Sequence, residues 1–165
     1  MRLLALVIGP AALGVLVLAL RAPRRQTVLL VVGALGHAAL TASLWILPAA
    51  PIGLGLLAAD DVGLLFLSIV SALFLPISFY VVRYLHDGTH HEAKAPHRFA
   101  PCLLWFVAAM SLVTLTQHMV VLWMAVEATT LASAPLVYFY ERRPARHARL
   151  PVPPHARWQI GRAHV

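Results

Sequence analysis

The sequence predicts an all-α membrane protein, a polytopic bundle of about five transmembrane helices with its N-terminus outside and its C-terminus in the cytoplasm. Three observations lead there. The 165 residues are 61% hydrophobic and 12% charged, with mean hydropathy +0.80, whereas a soluble domain carries about 25% charged residues. The apolar residues fall into five runs, each about 18–22 residues long, the span of one membrane helix. The positive residues collect in alternate connections between the runs, as membrane topology requires.

The first run, Leu3–Leu20, has the outline of a secretory signal, with Arg2 as its basic flank. Arg21, Arg24 and Arg25 follow it directly. That is a retention pattern, so the run reads as a retained helix. Thr27–Leu47 is the second run, and Gly63–Val82 the third, approached through Asp60–Asp61. Phe99–Gln117 and Met119–Tyr140 are the fourth and fifth, parted only by Gln117–His118. One helix over both would be about 60 Å long at ~1.5 Å per residue, twice the ~30 Å hydrocarbon core. The chain must therefore reverse there in a very tight turn.

The connection after the first run holds Arg21, Arg24 and Arg25; the one after the third holds Arg83, Lys94 and Arg98; Arg142, Arg143, Arg146 and Arg149 follow the fifth. Pro48–Ala59 and Gln117–His118 contain no Lys or Arg. The positive-inside rule puts the N-terminus outside and residues 141 onward inside. Arg2 is the one contrary charge, and a long side chain at a helix end can snorkel. The formal charge of +7 is thus explained by topology, and no basic face suggests nucleic acid. The single cysteine, Cys102, excludes an internal disulfide framework and a thiolate metal cluster. No cofactor site is legible, and no catalytic site belonging to the chain itself.

Glu127 is the most informative residue. It is the only acid between Pro96 and Phe139, and lies about 12 Å into the fifth run at ~1.5 Å per residue, near mid-membrane. A charge there costs at least ~2.5–3.5 kcal/mol on insertion scales. Such a residue carries protons or ions, or pairs with a group that does; the alternative is a structural carboxyl, protonated or bonded to a neighbouring helix. Trp123, Thr130, Leu131 and Ala134 share its face by helical spacing, which suits close packing and a small wet pocket. Pro135 and Pro76 each remove a backbone bond from their helices; each can equally be a packing kink.

His37 is midway in the second run, near Gly33 and Thr41 at helical spacing. It is a second candidate proton relay, since its ordinary pKa of about 6.5 is easily moved. With no recognisable partner, the plainer alternative is a neutral ring bonded to a neighbouring backbone or hydroxyl. Asp60 and Asp61 stand at the mouth of the third helix, where one caps the helix and the other is free to gather cations. The loop HDGTHHEAKAPH holds His86, His90, His91 and His97 with Asp87 and Glu92. It can bind Zn²⁺ or Ni²⁺, but its spacing matches no fixed ligand frame, so no metal ligand is assigned and a solvated loop is expected.

In the fifth run the wording LWMAVEATTLASAPLVYFYERRP resembles the antiporter-like, proton-translocating membrane subunits of respiratory complex I, and most closely the large membrane subunit of group 4 membrane-bound hydrogenases and formate hydrogenlyase. There a W…EATTL…APL helix is followed by a basic R-x-P step. DDVGLLFLSIVSALFLPISFYVV resembles the third helix of that family, with acids at the mouth, hydroxyls within and Tyr80 near the inner end. LLWFVAAMSLVTLTQHMVVLW resembles the fourth. The resemblance covers residues 1–144, strongest over 60–144; the first two helices match in hydropathy alone.

The resemblance implies that Glu127 is a proton-relay residue, with Thr130 and Tyr80 in support. It implies a bacterial or archaeal cytoplasmic (inner) membrane, with other membrane subunits and a peripheral redox arm as partners. The family's glutamate pairs with a lysine in a broken helix further along. The sole lysine here, Lys94, is in a loop, so residues 1–144 read as the N-terminal helices of a longer subunit. After Pro144 the family pattern stops abruptly in ARHARLPVPPHARWQIGRAHV, whose last six residues resemble a translated sequencing adapter. Residues 145–165 are therefore expected to be a non-native or disordered tail. Rival readings are a small metal-ion transporter using the His-rich loop and Glu127, a subunit of a multi-subunit Na⁺/H⁺ antiporter, and a membrane scaffold in which Glu127 only pairs helices.

Overall fold

The computed structural model describes residues 1–20, 22–53, 55–86 and 96–141. They form five helices: α1 Arg2–Ala19, α2 Pro23–Ile46, α3 Asp61–His86, α4 Pro96–Leu115 and α5 Met119–Glu141. No strand occurs among the described residues. Four of the helices are long and apolar enough to cross a membrane, and α4 contributes a shorter apolar stretch, Phe99–Leu115. With Val15, Val32, Leu35, Phe66, Leu73 and Phe79 among the large apolar side chains left outside, the molecule has the surface of a multi-pass membrane protein. Residues 145–165 lie outside the described residues, and so does the question of the tail.

The predicted runs and the helices coincide to within a few residues. α2 starts at Pro23, four residues ahead of Thr27, because a proline is pre-organised for the first helical position and a first turn tolerates Arg24 and Arg25. α3 runs on past Val82 to His86. The reversal at Gln117–His118 is as tight as the length argument requires, with α4 ending at Leu115 and α5 beginning at Met119.

Which faces are buried follows from 3.6-residue periodicity. On α1 the buried stripe is Leu3, Leu6, Pro10, Gly14 and Val17. On α2 it is Leu30, Ala34, His37, Thr41 and Leu44, and on α3 Leu64, Leu67, Ser71, Phe74, Ser78 and Val81. α4 is the axis of the bundle. It packs against α1, α2, α3 and α5, and small residues such as Ala108, Ala109 and Ser111 are buried on it. A helix walled by protein on several sides does not need the full apolar length of one facing lipid. α5 packs along α4; Ala125 and Ala132 are its buried residues, where small side chains permit close approach, and Val121, Leu122, Thr129, Ser133 and Leu136 are half-buried.

Two apolar clusters fill the interior. One joins Val17, Leu30, Ala34, Phe74, Val81, Leu104 and Val107; the other joins Leu3, Leu6, Leu44, Leu57, Leu64, Leu67 and Leu115. Specific polar contacts tie the helices where backbone groups would be left bare. Gln26 donates from Nε2 to the carbonyls of Val17 (3.0 Å) and Leu20 (2.6 Å) at the end of α1, where carbonyls run out of intrahelical partners; the Val17 carbonyl also accepts from the Leu20 amide. Arg2 donates to the Ser43 carbonyl at 3.2 Å, in the last turn of α2, where a cation is favoured by the helix dipole. This gives the one contrary charge of the topology a partner. Trp105 lies over Gly14 and donates from Nε1 to the Ala11 carbonyl at 3.2 Å.

The Pro48–Ala59 connection is not loose. Gly53 (φ 65°) and Gly55 (φ 89°) take up left-handed backbone, a conformation that favours glycine. They let the chain double back so that Ile52 and Leu57 exchange hydrogen bonds of 2.9 and 3.2 Å. Ala58 then donates to the Leu115 carbonyl and Gln117 to the Leu56 carbonyl, both at 2.9 Å, pinning the connection to the α4–α5 turn.

Candidate functional site

A buried polar layer crosses the bundle between the two apolar clusters. Its centre is His37, 2% exposed. Nδ1 lies 2.8 Å from Ser71 Oγ on α3, and Nε2 lies 2.8 Å from Ser111 Oγ on α4. Thr41, one turn along α2, places Oγ1 2.9 Å from Ser71 Oγ and 2.9 Å from the His37 carbonyl. Ser111 also donates to the Val107 carbonyl at 2.8 Å. The Phe74 ring meets the imidazole edge-on, centroids 6.4 Å apart. On each helix the polar residue falls inside the buried stripe, between residues of one cluster and residues of the other. α2, α3 and α4 are thereby locked in register by side-chain bonds, where apolar packing alone would let them slide.

His37 was expected either to relay protons or to sit bonded to a hydroxyl. It is bonded to two. Its partners Ser71 and Ser111 were not singled out from the sequence. The available signal was a hydroxyl midway in the third run and another in the fourth, but nothing in the residue order says that both meet His37.

Glu127 is placed differently. It is on the exposed side of α5, away from α4, with Trp123 (65% exposed) and Leu131 (74%) beside it. Thr130 donates to the Glu127 main-chain carbonyl at 2.7 Å, so its hydroxyl serves the helix backbone. The Glu127 face, expected to pack closely around a wet pocket, is covered by no described element. α5 turns its small residues Ala125 and Ala132 to α4 and its acid outward. Pro135 is exposed on the same helix. Glu127 and His37 are therefore not brought together: α5 packs on α4 and makes no comparable contact with α2.

Asp60 and Asp61 are both exposed at the start of α3. The Asp60 carbonyl accepts from the Leu64 amide at 2.8 Å, the position of an N-cap residue. Its carboxylate folds over Gly63, which has no Cβ to obstruct it. Asp61 is the first residue of α3 and sits favourably at the positive end of the helix dipole. Tyr80 is exposed far along α3, on the opposite half of the bundle from these acids. Of the His-rich loop, Asp87, His90, His91 and Glu92 lie outside the described residues, and only the backbone of His86 and His97 is described. Among the described residues no three His, Cys, Asp or Glu side chains are gathered to hold a metal ion. No protein-family model, no curated protein and no solved structure matches the chain.

Proposed function

We propose that the chain is part of a proton-conducting membrane subunit that couples redox chemistry in a partner arm to proton translocation, like the antiporter-like subunits its fifth helix resembles. In this reading all five helices cross a bacterial or archaeal cytoplasmic membrane, with the N-terminus outside. The observation that carries the proposal is Glu127, about 12 Å along α5 at ~1.5 Å per residue, on a face that no described element covers. An ionised carboxylate against lipid is costly. Further helices, of this subunit or of its neighbours, must cover that face or the acid must hold its proton, and a group poised between those two states is what a proton carrier needs. Covering groups that move would alternately favour the two forms.

His37 supports the reading as a second protonatable group within the bundle. The redox cofactors belong to other subunits. In the assembled complex, reconstituted into proteoliposomes, Glu127→Gln is expected to abolish redox-driven proton uptake while the complex still assembles and turns over its electron donor. Undiminished proton uptake in the variant refutes the proposal. Sodium uptake in place of proton uptake assigns the subunit to the cation-antiporter branch of the same reading.

A further inference from the structure

The hydrogens of the His37 layer can be counted. Five contacts hold it together: Nδ1 with Ser71, Nε2 with Ser111, Thr41 with Ser71, Thr41 with the His37 carbonyl, and Ser111 with the Val107 carbonyl. Each needs one hydrogen. A serine or threonine hydroxyl supplies one, and a neutral imidazole supplies one. With a neutral ring the layer holds four hydrogens for five contacts. With an imidazolium it holds five.

The neutral arrangement is forced almost completely. Ser111 gives its hydrogen to Val107, so it accepts from Nε2–H. Nδ1 then has no hydrogen and must accept from Ser71. Thr41 is left with one hydrogen and two oxygens at 2.9 Å, and can satisfy only one of them. In the charged arrangement Nδ1–H donates to Ser71, Ser71 turns to Thr41, and Thr41 turns to the His37 carbonyl. Every contact is then a hydrogen bond and the chain of donors runs one way.

We propose that the His37–Ser71–Thr41–Ser111 layer is an intramembrane proton-binding site, one aqueous proton adding to the Nδ1 lone pair while the Ser71 hydroxyl turns from Nδ1 to Thr41 and Thr41 donates to the His37 carbonyl. The step balances: one N–H bond forms as one hydronium O–H bond breaks and leaves water, the Ser71 O–H rotates, and the layer gains a single positive charge. A charge taken from water must be given hydrogen bonds in return, and here both ring N–H groups have an acceptor at 2.8 Å.

No described acid is in contact with the ring. Its partners from α3 are Ser71 and Phe74 and from α4 Ser111. Of the described charged and titratable side chains on the elements packed against α2, Arg2 of α1 bonds to Ser43, about 9 Å along the axis from His37 at ~1.5 Å per residue. On α3, Asp61 and Tyr80 lie about 15 Å and 13 Å along the helix from Ser71 on the same scale, with Arg83 beyond Tyr80. α4 offers only Cys102, nine positions before Ser111, about 13 Å. The Arg24 and Arg25 side chains of α2 itself are at its far end. Burial and the hydroxyls, with no counter-ion among the described residues, therefore set the affinity for the proton.

Proton loading at His37 deepens the proton-conducting function and rests on it for its use, but it is measurable without any flux. The test is solid-state NMR of the full chain, labelled with ¹⁵N-histidine, in lipid bilayers across the pH range in which it stays folded. The His37 signals are assigned by their loss in His37→Gln. A neutral Nε2–H ring is expected to give way to an imidazolium as pH falls.

Thr41→Val makes the result diagnostic, although Thr41 does not touch the ring. Without that hydroxyl only three contacts remain, and a neutral ring satisfies all three. The midpoint of proton uptake is expected to fall by about 0.5–1 pH unit, the equivalent of one modest hydrogen bond. Thr41→Ser, which keeps the hydroxyl, is expected to hold the parent midpoint. A ring that stays neutral throughout, or a midpoint indifferent to Thr41→Val, overturns the proposal. If that happens while proton uptake still depends on Glu127, only the His37 site is lost. If the ring titrates as described and Glu127→Gln pumps normally, the site stands and the proposed function falls.

Discussion

If His37 is held by Ser71 and Ser111, removing the ring has opposite consequences with and without its partners. Ser111→Ala leaves the ring Nε2–H without an acceptor in a site that is 2% exposed. Ser71→Ala leaves Nδ1 without a donor. An interhelical hydrogen bond in a membrane bundle is worth about 0.6 kcal/mol on average and up to about 1.7, and a buried unsatisfied group costs about 1–3 kcal/mol. Each alanine is thus expected to destabilise by about 1 kcal/mol and the pair by about 2.

His37→Leu in the parent gives up two hydrogen bonds but strands little. Ser111 still donates to Val107, and Ser71 still has Thr41. The expected loss is about 1 kcal/mol. In the Ser71→Ala/Ser111→Ala background the same leucine replaces a ring that has no partner. It is expected to be neutral or to restore about 1 kcal/mol, because exchanging both members of a buried polar pair for apolar groups removes the penalty of the orphan. The assay is equilibrium unfolding in lipid–detergent mixtures, arranged as a double-mutant cycle. An equal cost of His37→Leu in both backgrounds would refute the contact geometry itself, and with it the hydrogen count above.

Two further outcomes follow from the packing and from the charge pattern. Gly14→Ala would set a Cβ 2.5 Å from Trp105 Nε1, displacing the indole from its bond to the Ala11 carbonyl; a loss of about 1–3 kcal/mol is expected from overpacking, read by the same unfolding assay. For topology, single cysteines at Ala50 and at Ala22 in a Cys102→Ala background are expected to differ: Ala50→Cys reacts with an impermeant maleimide added outside intact cells, and Ala22→Cys reacts only after permeabilisation. The reverse pattern contradicts the positive-inside orientation.

The five helices are legible in the residues because apolar length and charged punctuation are local signals. The turn at Gln117–His118 follows from length alone, since no bilayer accommodates a helix of about 60 Å. Helix starts are less legible where the first turn is charged: Pro23 marks the beginning of α2 better than hydropathy does, which discounts Arg24 and Arg25. The His37 layer was half legible. A histidine in an apolar helix announces a buried polar group, but Ser71 and Ser111 are 34 and 74 residues away, and their meeting depends on how α3 and α4 are rotated. That rotation is set by the whole buried stripe of each helix and by no short motif. The orientation of Glu127 is illegible for the same reason. Helical spacing identifies Thr130 and Leu131 as its neighbours, whereas Ala125 and Ala132 decide which side of α5 meets α4.

The two polar groups divide the bundle into a finished part and an open one. Around His37 three helices supply every ring partner, so the layer can tolerate a change of charge by turning hydroxyls, with no helix moving. Around Glu127 nothing described supplies a partner, so the energy of its charge is set by whatever lies against α5. A site of the first kind has a proton affinity that belongs to the chain. A site of the second kind takes its surroundings from whatever helix lies against α5. Under the proposed function, that difference makes the face of α5 turned away from α4 the place where a partner helix would act on the chain.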